Sequence, residues 1–121
     1  MDYETLRNCF VGVFENYKTS DRKCFVIHDL QNDLKDFINF LENNINNKEW
    51  HISFNGLAFD AQITHYILDN HILWTNLSGC EIGEIIYKFA QKTIHRSNIG
   101  EFGVYAPWKM KIGQIDLFKL H

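Results

Sequence analysis

Only 1 of the 121 residues is proline and only 7 are glycine. That scarcity excludes collagen-like, proline-rich and glycine-rich low-complexity chains. The three cysteines, Cys9, Cys24 and Cys80, are an odd, scattered set without CxxC spacing. Neither a disulfide framework nor a zinc site is expected from them, and a reducing, cytoplasmic setting is the simplest expectation. No apolar run exceeds a few residues, so no membrane-spanning segment is expected. The first residues lack the basic-then-apolar pattern of a signal peptide. Positive charge is not in excess either: 12 Lys+Arg against 15 Asp+Glu leave a net charge of −3. That balance excludes a bulk electrostatic coat for DNA. Any nucleic-acid contact must be local or supported by metal ions.

What is present is enough for a core. The chain is 45% hydrophobic and 15% aromatic, and its length suits one domain over 1–121. Asn8–Glu15 (NCFVGVFE) and Lys23–His28 (KCFVIH) read as strands joined by the turn-forming Asn16–Asp21, hence a hairpin. Leu30, Leu34, Phe37, Ile38, Leu41 and Ile45 then recur at helical period, with Asp29 as the expected N-cap. Trp50–Phe54 alternates as a third strand, turned by Asn55–Gly56. Phe59, Ile63, Tyr66 and Ile67 mark a second helix ending near Asn70. Ile72–Gly79 is ambiguous. Ile82, Ile85, Ile86, Phe89, Ala90 and Ile94 define a third helix, acidic early and basic late, which suits the helix dipole. Ser97–Trp108 reads as loop and Gln114–Leu120 as a closing strand. Strands alternating with helices predict an α/β domain with a mixed sheet.

Two carboxylate groupings carry chemistry. In Asp2-Tyr3-Glu4 an extended backbone places both carboxylates on one face and Tyr3 on the other. Two close carboxylates repel unless a cation lies between them, and hard divalent ions take oxygen ligands. The bland alternative is a solvated acidic terminus. In Phe54-Asn55-Gly56-Leu57-Ala58-Phe59-Asp60 a strand ends, the chain turns, and a helix begins with Asp60 in its first turn. Open α/β sheets bind ligands just beyond strand ends, so Asp60 is expected to face Asp2 and Glu4. A mere helix-dipole partner is the alternative for Asp60, and a plain N-cap for Asn55.

D-Y-E-T at the start and F-N-G-L-A-F-D downstream resemble the first and second motifs of the DEDD 3′–5′ exonucleases. The closest resemblance is to the proofreading exonuclease domains of viral and phage-type DNA polymerases. The hairpin and helix between the motifs follow that superfamily's order. Gln114-Ile115-Asp116-Leu117 is similar to the strand-borne Asp after its second motif, which makes Asp116 an accessory candidate. The resemblance implies a ribonuclease H-like mixed sheet flanked by helices. It implies Asp2, Glu4 and Asp60 as catalytic metal ligands for Mg²⁺ or Mn²⁺, and Thr5, Leu6, Asn55 and Phe59 beside the substrate. The implied partners are a single-stranded DNA 3′ end and a polymerase domain, in the host cytoplasm if the source is viral. The implied reaction is two-metal hydrolysis of the terminal phosphodiester.

The sequence departs from the family at both ends. Only Met1 precedes Asp2, where the family has an apolar strand. The family's fourth carboxylate, preceded by a Tyr or His, has no counterpart before His121, so a partial domain is expected. A ribonuclease H-like module that binds nucleic acid or protein without cleaving is the alternative. The six histidines form no HExxH pattern, Cys80 has no partner at a signature spacing, and the glycines form no phosphate loop. Pro107-Trp108-Lys109-Met110-Lys111 mixes basic and aromatic residues, as single-strand grips do, but a solvated basic loop is the commoner meaning.

Overall fold

The computed structural model describes residues 1–54, 59–101 and 103–117. It is a mixed α/β structure with three α-helices and strands in two sheets. Four antiparallel strands form the first sheet in the order β1-β2-β3-β4: β1 (Asp2–Leu6), β2 (Cys9–Glu15), β3 (Arg22–His28) and the two-residue β4 (Gln31–Asn32). The second sheet pairs β5 (Trp50–Ser53) with β6 (Gly113–Asp116) in parallel. The expected mixed sheet is therefore divided, and the amino group of Met1 ties the two parts by donating to the Ile52 carbonyl at 3.2 Å. The helices are α1 (Leu34–Asn46), α2 (Asp60–Asn70) and α3 (Gly79–Asn98). No described helix is long and apolar enough to cross a membrane.

The predicted hairpin is β2 and β3. The D-Y-E-T segment ahead of it is a strand of its own, paired so that Asp2 lies opposite Val13 and Glu4 opposite Val11. Alternation sorts the sheet into two faces. Tyr3, Phe10, Phe14, Phe25 and Ile27 point to the core, where α1 supplies Phe37, Ile38 and Leu41. Val11, Val13 and Val26 lie on the other face with Asp2 and Glu4.

The first helix starts later than its apolar period implies. Leu30 is 92% exposed and belongs to the turn before β4. Asp29 caps a different element: its carboxylate accepts from the Cys80 N–H at 2.9 Å, in the first turn of α3. Ser78 and Glu81 complete that end as a reciprocal capping box. The closing strand ends at Asp116 rather than Leu120, and residues 118–120 lie outside the described residues. The ambiguous stretch contains a 3-10 turn, His71–Trp74, that buries Trp74.

Two glycines let α3 lie directly on the sheet's connections. A Cβ on Gly79 would collide with the His28 carbonyl, and one on Gly83 would sit 2.8 Å from the Cys9 nitrogen. Gly83→Ala gains helix propensity but must lift the helix off the β1–β2 turn. A net loss of about 1–3 kcal/mol is expected. Urea unfolding measures it, and an unchanged midpoint would show that α3 moves away freely.

Candidate functional site

Tyr3 anchors the site. Its ring is buried against Phe10, Phe14 and Phe37, and its hydroxyl shares a hydrogen bond with the Thr64 hydroxyl of α2. Burial holds that phenol well above the usual tyrosine range. With Tyr3 fixed inward, pleating holds Asp2 and Glu4 outward, and both are exposed.

Asp60 lies in the first turn of α2 and is only 7% exposed. Its carboxyl is pushed up to about 7, first by burial and then by the negative charge of Asp2. Glu4 and Asp116 push in the same direction, while the Met1 ammonium pulls the other way. The structure thus brings Asp2, Glu4, Asp60 and Asp116 into one electrostatic neighbourhood. Asp116 itself is buried at the end of β6, opposite Ser53 of β5. Repulsion of this kind is what a bound cation relieves. Among the described residues no group of three or more His, Cys, Asp or Glu is arranged to hold a metal ion.

The remaining candidates are placed less uniformly. Thr5 pairs with Phe10 and so lies on the core face, away from Asp2 and Glu4. Leu6 shares the carboxylate face but sits exposed at the far end of β1. Phe59 precedes α2 and packs, partly buried, against the core. Asn55 lies outside the described residues.

Sequence reasoning missed the polar interior of α2. Gln62 clamps the backbone of Tyr105 from both sides, accepting from its N–H and donating to its carbonyl, each at 2.8 Å. His65 bonds the Ala61 carbonyl through Nδ1 at 2.8 Å, and its Nε2 accepts from the Lys111 N–H at 2.9 Å. That network assigns the neutral tautomer with the proton on Nδ1. Burial keeps His65 below the usual histidine range. Together the two side chains hold the segment that leads into β6, and so they position Asp116. Their only sequence signal is that α2 has few strongly apolar positions for a helix buried on nearly all sides.

No protein-family model, curated protein or solved structure matches this chain.

Proposed function

We propose that the chain is a ribonuclease H-like domain of the DEDD 3′–5′ exonuclease type, acting on DNA 3′ ends with Mg²⁺ or Mn²⁺. The observation that carries this reading is Asp60: a buried carboxyl in the first turn of α2, pressed upon by Asp2 and Glu4 of β1. The order of elements supports it as well. An antiparallel β1-β2-β3-β4 unit is followed by α1, then by β5, whose Ile52 carbonyl accepts from the Met1 amino group just ahead of β1, then by α2, α3 and β6 parallel to β5.

The donor set suits a hard divalent ion, since all its members are carboxylates. Mg²⁺ sites commonly use one or two carboxylates, water and substrate phosphate rather than a complete protein cage. The resemblance would assign the ions to Asp2, Glu4 and Asp60, which do not by themselves form a metal cage, so water and substrate phosphate would have to complete the site. Two bound ions supply an activated water and offset the charge that builds on the phosphodiester. Asp60, whose carboxyl is held above its ordinary range, would release its proton to solvent on binding a cation. Tyr3 keeps its neighbours on one face throughout. The expected partners are a single-stranded 3′ end and a polymerase domain, and the three free cysteines suit a cytoplasmic setting.

The test is a nuclease assay on single-stranded DNA labelled at its 3′ end, with Mn²⁺ or Mg²⁺. The label should be released as mononucleotide. Asp60→Ala and Asp2→Ala should each lose on the order of 100-fold or more in rate. Binding without cleavage, both in this chain and in a version extended at both ends, would sink the reading in favour of a binding module.

A further inference from the structure

A cleft of about 520 Å³ opens between the β2–β3 turn and the start of β5. Three lysines line it: Lys18, Lys23 and Lys48. So do two outward aromatic rings, Tyr17 at 89% and Trp50 at 62% exposure. The Trp50 ring is packed, and the turn that carries Tyr17 is ordered. Asn16 Oδ1 accepts from the Lys18 and Thr19 N–H groups at 2.8 and 3.0 Å, which shapes the turn that presents Tyr17. The Trp50 ring lies so close to Gly113 that a Cβ there would be 2.6 Å from it. Lys23 sits 5.5 Å from the Phe40 ring centre, which fixes its ammonium at the cleft wall. Lys48 occupies a position that backbone geometry favours for glycine. It follows the end of α1 with φ +54, while the Glu49 N–H closes onto the Asn44 carbonyl at 2.8 Å.

Carboxylates border the cleft too. Glu15, Asp21 and Glu49 line it, but Glu15 lies 3.8 Å from Arg22, which is not part of the lining. At the floor His51 is buried with Nδ1 unpartnered, while its Nε2 meets the Asn44 amide at 3.0 Å. Met1 and Ile52, the pair that joins β1 to β5, form the side next to Asp2.

We propose that this cleft is a contact for single-stranded nucleic acid, stacking bases on Trp50 and Tyr17 and holding phosphates with Lys18, Lys23 and Lys48. The ligand class rests on the exonuclease reading. The site does not, because ring stacking and lysine contacts need no metal. The cleft's lysines and carboxylates are equal in number and all exposed, so ring stacking has to carry more of the binding than phosphate contact does.

The test is fluorescence anisotropy of labelled oligo(dT) twelve nucleotides long (~12, the upper part of the usual site size), in EDTA so that nothing is cleaved. Trp50→Ala should weaken binding by about fivefold or more. Lys48→Gly should weaken it and lower the salt slope by about 0.7, while raising the melting temperature, because glycine suits the left-handed backbone. Loss of binding in a more stable variant cannot come from misfolding. Lys92→Ala, on α3 outside the cleft, should bind as the wild type does. No binding by the wild type, or equal binding by Trp50→Ala and Lys48→Gly, would overturn the proposal. Cleft-dependent binding with no Asp60-dependent cleavage on adding Mn²⁺ would leave the cleft standing and remove the exonuclease.

Discussion

Asp60→Asn should make the metal-free protein clearly more stable at pH 8 and nearly equal to the wild type at pH 4, while abolishing cleavage. The folded chain holds this carboxyl at about 7 against an ordinary value of 3.8. Below about pH 3 both folded and unfolded chains carry the proton, and at pH 4 the difference is still under about 1 kcal/mol. As pH rises, the unfolded chain releases its proton first. The folded state loses stability through that window, and the loss is complete above about pH 7. Asparagine does not titrate, so the variant escapes the loss. At 1.36 kcal/mol per unit the ceiling is about 4 kcal/mol. A gain of about 2–4 kcal/mol, or roughly 10 °C in melting temperature, is expected at pH 8. Thermal melts at pH 4 and pH 8 measure it. An equal or lower melting temperature for Asp60→Asn at pH 8 would show that neither burial nor its acidic neighbours hold the Asp60 carboxyl above its ordinary range.

The same comparison separates site from scaffold. A divalent ion that binds the carboxylates stabilises only the folded state, by an amount that grows with its concentration over its dissociation constant. Mg²⁺ or Mn²⁺ should therefore raise the melting temperature of the wild type and do so much less in Asp60→Asn. Histidine titration runs the other way. Burial pushes His51 down to about 4, with the Met1 ammonium adding to the effect, and His65 is lowered as well. Stability from the neutral His51 ring is complete above the ordinary 6.5 and is lost as pH falls toward 4, and the neutral His65 ring loses stability in the same direction. In the wild type the Asp60 gain on acidification offsets this loss. In Asp60→Asn only the histidine limb remains, so its stability falls steadily from pH 6.5 to pH 4.

The parts of this fold that were legible are those where one apolar face meets one core. Phe37, Ile38 and Leu41 on α1, and Ile82, Ile86 and Phe89 on α3, are buried as their spacing implies. Tyr3 points inward between two outward carboxylates, as alternation requires. The failures have physical causes. Leu30 falls in register with the α1 stripe, yet a tight turn and β4 occupy that stretch. Asp29 looks like a local cap, but its partner is 51 residues away at Cys80. The α2 interior escapes notice because Gln62, Thr64 and His65 are buried through hydrogen bonds rather than apolar contact. The outward parity of Asp2 and Glu4 was legible from strand alternation, whereas their arrangement relative to Asp60 depends on how α2 packs and is not written in either motif. The cleft was not legible, because it joins a turn, a helix end and a strand that are distant in sequence.

Phe37→Ala should produce the largest loss of stability of any single change in the core. The ring is fully buried and lies within 6.1 Å, centre to centre, of Tyr3, Phe10, Phe14 and Phe25. Those four come from β1, β2 and β3, so one α1 side chain joins three strands. Its removal takes away the apolar burial and leaves a gap that stiff aromatic neighbours fill poorly. A cost of about 3–5 kcal/mol is expected, against a whole-domain stability of roughly 5–15 kcal/mol. In urea the midpoint should fall by about 2 M at a typical slope for this size. Phe37→Met, which keeps most of the volume, should recover most of the loss. The site is expected to feel the change as well. Tyr3 loses an edge contact, and Tyr3 is what holds Asp2 and Glu4 on their common face. Phe37→Ala should therefore weaken metal-dependent stabilisation at temperatures where helix content is still complete, and Phe37→Met should restore it. A midpoint shift below about 0.5 M in Phe37→Ala would mean that the surrounding rings close over the gap, and that Tyr3 is held by Thr64 rather than by the aromatic cluster.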